Sequence, residues 1–202
     1  MEQGSQEWFD ARIGKVTASR VADVLATLKT GEAASRKNYR MELVCQRLTN
    51  KREEGFTNSH MERGVELEPL ARAAYEFKQE VIVNEIGFVN HPSIEMSGAS
   101  PDGLVGLDGL VEIKCPTPAN HADTLLSGKA PSKYIPQMQW QMACTGAKWC
   151  DFVSYCPALG DGLKLFIVRV ERDYDYIAEV EETVKLFLTE VEDLTTKLKE
   201  LQ

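Results

Sequence analysis

The sequence predicts a mixed α/β fold, a central mixed β-sheet flanked by helices, and three observations predict it. Apolar residues recur at helical spacing up to residue 79, short β-branched runs punctuated by glycine take over from residue 81, and a helical stripe returns after residue 173. At 202 residues, 43% hydrophobic and 27% charged, the chain can bury a core without disulfides or metals. There is no internal repeat, low-complexity tract or linker, so residues 1–202 read as one domain, with residues 173–202 a C-terminal amphipathic acidic helix.

Taken in order, Thr17 or Ser19 caps a helix predicted to run to about Leu28, and a second helix spans residues 35–49 with Tyr39, Leu43 and Leu48 on one face. Residues 58–79 open with capping residues and carry Met61, Val65, Leu67, Leu70, Ala74 and Phe77, a long helix in which Pro69 marks a kink or a late start. Strands follow at 81–83, 87–89, 96–98, 104–106 and 110–114. Asp108-Gly109 is the predicted hairpin turn between the last two, because both residues tolerate the positive φ of a two-residue turn. Helices are predicted at 119–126 and 132–144, and strands at 149–155 and 163–170. A final helix spans 174–201, with Ile177, Val180, Val184, Leu188, Val191, Leu194, Leu198 and Leu201 as its stripe.

No run approaches the ~20 apolar residues needed to span a bilayer, and the first residues lack the regions of a secretory signal, which predicts a cytoplasmic protein with no membrane partner. Five scattered cysteines suit reduced thiols. His60, His91 and His121 lack zinc-ligand spacing, and Cys144, Cys150 and Cys156 do not match an iron-sulfur ligand set. The net charge of −8 argues at first against a nucleic-acid partner. Its distribution argues otherwise. Residues 171–202 carry ten acids against four cations, whereas residues 11–52 carry ten cations against Asp23, Glu32 and Glu42. That predicts a basic N-terminal surface suited to sliding along phosphates.

The chemistry concentrates in Ser100-Pro101-Asp102-Gly103 and, after a compact hairpin, Glu112-Ile113-Lys114. Residues i and i+2 of a strand share a face, so Glu112 and Lys114 project together. The hairpin can return Asp102 to Glu112. Two carboxylates on neighbouring strands make a hard-oxygen site suited to Mg²⁺, with a lysine beside it to orient or help deprotonate an attacking water.

Pro-Asp-Gly followed by Glu-x-Lys is the PD-(D/E)xK nuclease signature, and the chain resembles the lambda-exonuclease and YqaJ-type phage recombination family from about Trp8 to Pro157. Trp8-Phe9-Asp10-Ala11-Arg12-Ile13-Gly14-Lys15-Val16-Thr17-Ala18-Ser19 is similar to the family's opening block. The resemblance implies that Arg12 and Ser19 bind the 5′-terminal phosphate, with Ser100 touching it too. Gly64-Val65-Glu66-Leu67-Glu68 is similar to the family's Gly-x-x-x-Glu helix, which implies Glu68 as an acid of the metal site, Glu66 being its nearest competitor. Tyr134-Ile135-Pro136-Gln137-Met138-Gln139 is similar to the Tyr-x-x-Gln-x-Gln helix, placing Gln137 at the active site ahead of Gln139. The implied ligand set is Asp102, Glu112, Glu68 and the Ile113 backbone carbonyl, holding Mg²⁺ for which Mn²⁺ can substitute.

The resemblance further implies a 5′-to-3′ exonuclease that digests one strand of double-stranded DNA from its ends to mononucleotides. It implies a homotrimeric ring around the DNA and a single-strand annealing protein as partner, in a bacterial cell carrying the phage or prophage. The alternatives are a restriction- or resolvase-type endonuclease and an inert DNA-end-binding scaffold.

Overall fold

The computed structural model describes residues 1–52 and 59–201, including their side chains except those of residues 59–62. The element order is α1 (Gln6–Asp10), β1 (Val16–Thr17), α2 (Val21–Val24), α3 (Ala34–Thr49), α4 (Ser59–Gln79), β2 (Val83–Asn84), β3 (Val89–Asn90), β4 (Ser97–Ala99), β5 (Gly103–Val105), β6 (Gly109–Lys114), α5 (Pro118–Ser127), α6 (Ile135–Thr145), β7 (Trp149–Tyr155), β8 (Leu165–Glu171) and α7 (Tyr174–Lys199). The proposed helix start at Asn58 and the side chains of His60 and Met61 lie outside the described residues.

The strands form two mixed sheets. The larger runs β2-β5-β6-β7-β8, with β6 and β7 parallel and the other neighbours antiparallel. The smaller runs β1-β4-β3, with β1 parallel to β4. On one face of the large sheet, Val111, Ile113 and Val153 pack with Ala71 and Tyr75 of α4. On the other, Leu110 and Phe152 pack with Met138 and Met142 of α6. α4 is pinned by a buried polar knot: the Tyr75 hydroxyl donates to Asp151 Oδ2 at 2.8 Å, and Arg169 grips the same carboxylate from β8 at 2.8 and 3.0 Å.

Several expectations change. The helix predicted to reach Leu28 is a single 3-10 turn over Ala18–Arg20 and the short α2, because residues 16 and 17 pair with β4 instead and Thr27 bridges to Glu32 around Gly31 at φ +78°. The hairpin turn is not Asp108-Gly109 but the three-residue loop 106–108, with Gly106 at φ +61°. Gly109 belongs to β6. Its missing side chain makes room for Trp149, whose ring atoms would lie 2.1 Å from a Cβ there. Pro69 lies inside α4 without ending it. The buried face of α4 is Ala71 and Tyr75, while Val65, Leu70 and Phe77 of the predicted stripe are exposed. α7 buries Phe187 as well as Ile177, Val180, Val184 and Val191, and leaves Leu201 out.

α7 packs chiefly on α3 and also against α2 and α6. That contact joins the acidic and basic segments of the chain. Glu190 takes both Arg36 and Arg40 at 2.6–2.7 Å, Glu32 takes them from the other side, and Glu192 takes Arg47 at 2.9 Å. The predicted basic surface is therefore corrected: three of its arginines face the C-terminal helix.

Candidate active site

The β5–β6 ladder pairs Gly103 with Val111, so the next residue out on each strand brings Asp102 level with Glu112. Asp102 Oδ2 accepts the Ile113 backbone N–H at 2.6 Å, fixing the Pro-Asp-Gly turn to β6. Glu112 shares the α6 face of the sheet with Leu110 and has no solvent exposure. A carboxylate so buried is costly unless donors surround it. It has three: Gln137 Nε2 reaches Oε1 at 2.6 Å, Gln141 Nε2 reaches Oε2 at 2.7 Å, and the Lys114 ammonium pairs with Oε1.

The charges act on one another. Burial, followed by the Glu112 charge, pushes the Asp102 carboxyl well above its ordinary value. Burial works against the Lys114 ammonium, but Glu112 and Asp102 together outweigh it and hold the lysine protonated. Glu68 is raised by burial against the opposing pull of Arg72, and more weakly it feels the charges of Lys114 and Glu112. Its carboxylate meets Arg72 at 2.8 Å, and Arg72 also pairs with Glu85. Glu66 is exposed.

Among the described residues, no three acidic, histidine or cysteine side chains converge closely enough to hold a metal ion by themselves. Asp102 and Glu112 lie level on paired strands, while Glu68 is turned to Arg72. The Asp102–Glu112 pair fits a divalent cation: both are hard carboxylates, and the Glu112 charge that adds to burial in raising Asp102 is what a cation would relieve. Mg²⁺ commonly takes one or two protein carboxylates and completes its shell with water and phosphate.

The residues assigned to the phosphate lie at one end of the small sheet. β1 runs parallel to β4, so the chain enters Ser19 on the same side as Ser100. The Trp8 indole N–H donates to Ser100 Oγ at 2.8 Å, and the Arg12 guanidinium stacks 3.8 Å over the Trp8 ring. Trp8 thereby links Arg12 to the turn that carries Asp102. Arg12 is lowered to about 10 by burial and then by the Arg52 charge, so it remains a cation at neutral pH. Ser19 is exposed, and no side-chain cap is made by Thr17.

Gln139 does not join the site. Its amide spans β8 and α7, donating to Glu171 O at 2.8 Å and accepting Asp173 N–H at 2.9 Å. Gln141 was missed by sequence reasoning, although its i+4 spacing from Gln137 places both on one helix face. His121 is wholly buried between Ser154 Oγ and Leu163 O, and His91 is stacked on Trp140. All five cysteines are free thiols, and burial pushes Cys115 up to about 11 and Cys150 well above its ordinary value.

A hairpin aspartate, a Glu-x-Lys strand and a glutamine-bearing helix over a mixed sheet define a PD-(D/E)xK nuclease fold. More narrowly, the chain belongs to the YqaJ-like viral recombinase domain family, which matches residues 7–148. It is 54% identical to the alkaline exonuclease LHK-Exo of Laribacter hongkongensis, over 97% of each chain, with a TM-score of 0.90. Against LHK-Exo in complex with dAMP the TM-score is 0.92. A phage-related exonuclease from Haemophilus somnus shares the fold at 15% identity and a TM-score of 0.71, over 91% of this chain and 96% of that one. The uncharacterized protein R354 of Acanthamoeba polyphaga mimivirus is 29% identical over 168 residues, 75% of this chain, and the match spans 29% of that longer protein.

Proposed function

We propose that this chain is a Mg²⁺-dependent 5′-to-3′ exonuclease that digests one strand of linear double-stranded DNA to mononucleotides, leaving a 3′ single-stranded tail. The observation that carries the reading is the buried Glu112, clamped by two amides and paired with Lys114 level with Asp102. Asp102, Glu112 and the Ile113 carbonyl hold the cation, with Glu68 supporting them from α4. When bound, the cation polarises the phosphoryl oxygen and stabilises the attacking and leaving oxygens. Lys114 acts as a donor that orients the attacking water, and Gln137 fixes the Glu112 carboxylate. Arg12, Ser19 and Ser100 receive the 5′ phosphate, so that each cleavage is registered from the end. The nucleotide in the LHK-Exo complex with dAMP supports a mononucleotide product.

Residues 1–202 work as one nuclease domain, with α7 part of its core because its apolar stripe closes over α2, α3 and α6. A homotrimeric ring around the duplex and a single-strand annealing partner complete the reading, in the cytoplasm of a bacterium carrying the phage or prophage. Among the described residues no helix is long and apolar enough to cross a membrane. The test is digestion of 5′-phosphorylated linear duplex with Mg²⁺, beside a covalently closed circle, together with the native mass. Release of mononucleotides from linear DNA alone and a trimer mass are expected. Cutting of the closed circle would establish an endonuclease instead, and metal-independent end binding without digestion would establish a scaffold.

A further inference from the structure

Glu112 holds more donors than its motif accounts for. An ionised carboxylate offers about four acceptor positions, two on each oxygen. Oε1 is taken twice, by the Gln137 amide at 2.6 Å and by the Lys114 ammonium. Oε2 is taken once, by Gln141 Nε2 at 2.7 Å. One position is left, and it is on Oε2.

Gln141 stands one turn beyond Gln137 on α6, so two amides from one helix face grip the two oxygens separately. The last torsion of a glutamate side chain sits in a broad well, so donors on one oxygen alone leave the carboxylate free to rock, whereas donors on both fix its plane. Gln141 is completely buried, and its own Oε1 has no hydrogen-bond partner. A buried amide oxygen left unpaired costs free energy that an apolar side chain of the same shape would avoid. The packing of α6 therefore does not by itself call for glutamine here. The contact with Glu112 does.

We propose that Gln141 is a positioning residue that holds Glu112 Oε2 and presents its remaining lone pair to the divalent cation, making Glu112 a one-oxygen ligand. The proposal rests on the metal-dependent nuclease reading above and deepens it. Gln137 and Gln141 have different tasks: the first shares Oε1 with Lys114, the second orients the oxygen that the cation meets.

The test compares wild type with Gln141→Met, which keeps length and packing and removes the donor, and with Met142→Leu as an apolar change in the same helix. Three readouts are taken: Mn²⁺ binding to the DNA-free protein by calorimetry, thermal unfolding in EDTA, and the Mg²⁺ concentration for half-maximal digestion. Gln141→Met is expected to weaken Mn²⁺ binding roughly 10- to 100-fold and to raise the half-maximal Mg²⁺ by a similar factor. Its unfolding in EDTA shifts down, because the buried Oε2 loses its donor, but remains a single cooperative transition, and Met142→Leu changes neither metal readout. If Gln141→Met does not fold, Gln141→Asn, which withdraws the amide by one methylene, is read the same way. Failure of both to fold identifies a structural role and overturns the proposal. So does Mn²⁺ affinity within twofold of wild type, or a loss shared by Met142→Leu. A wild-type protein that neither binds Mn²⁺ nor digests duplex sinks the nuclease reading itself. A wild type that does both beside an indistinguishable Gln141→Met sinks only the positioning role.

Discussion

Lys114 is where the chemistry is most exposed to a single change. Its ammonium is the one cation in contact with Glu112 among the described residues, and it supplies the donor for the attacking water in the proposed mechanism. Lys114→Ala is expected to reduce digestion by roughly 10²- to 10³-fold or more, the scale of removing one preorganised electrostatic group, with DNA-end binding retained in a gel-shift assay. Wild-type rates in that variant would remove Lys114 from the mechanism. Arg12→Ala addresses the other end of the site: it should lower the rate on 5′-phosphorylated ends while leaving the 5′-hydroxyl rate nearly unchanged. Equal rates on the two ends in the wild type would show that Arg12 and Ser19 bind no phosphate. Asp102, Glu112 and Lys114 were legible because strand period and a short hairpin dictate their meeting. Gln141 was not, because an amide on a helix acquires its meaning only from what the facing sheet presents.

At the scale of elements, the strand residue Gly109 and the α3–α7 contact carry the predictions. A Cβ at position 109 would sit 2.1 Å from the Trp149 ring, which Arg169 covers at 3.5 Å on its face. Gly109→Ala therefore forces the ring and its cation aside and should cost about 1–3 kcal/mol of stability, read as a shift in urea midpoint. An unchanged midpoint would mean that the ring moves freely. Between α3 and α7, the Arg36 side chain, and after it Arg40, holds the Glu190 carboxyl below its ordinary value of 4.5 against the opposing effect of burial. The folded state thus keeps this group charged at a pH where the unfolded chain protonates it. Its contribution is complete above about pH 4.5 and is lost as pH falls through the lower folded value. Glu190→Gln should cost on the order of 1 kcal/mol at pH 7, since the pair is partly exposed, and progressively less towards pH 3. A difference in stability that is constant across this range would show that the ion pair contributes nothing. Long elements such as α3, β7 and α7 were legible from period alone. The helix expected to reach Leu28 was not, because a local capping signal cannot reveal that residues 16 and 17 have a strand partner eighty residues away in β4.

At the scale of the molecule, the charge distribution shows what linear order hides. Residues 11–52 and the C-terminal segment read as separate basic and acidic surfaces, yet Arg36, Arg40 and Arg47 are matched to Glu190 and Glu192 across one helix interface, with Glu32 of their own segment sharing Arg36 and Arg40. The cations left facing outward in that segment, Lys29, Lys37, Lys51 and Arg52, are a smaller set than the count suggested. The salt dependence of DNA binding is accordingly expected to reflect only a few phosphate contacts, each adding about 0.9 to the slope of log affinity against log salt. A slope above about seven would mean that the paired arginines open towards DNA. By itself the sequence determined the fold class, most of the element order, the hairpin that joins an aspartate to a Glu-x-Lys strand, and the family, because these rest on periodicity and on motifs read within short windows. Only the tertiary structure decided which face of α4 is buried, that Glu68 turns to Arg72, that Gln139 braces β8 and α7 while Gln141 grips Glu112, and that α7 neutralises α3. Each of these depends on which side chain another element brings within about 3 Å, the range over which a hydrogen bond acts, and no local window contains that distance.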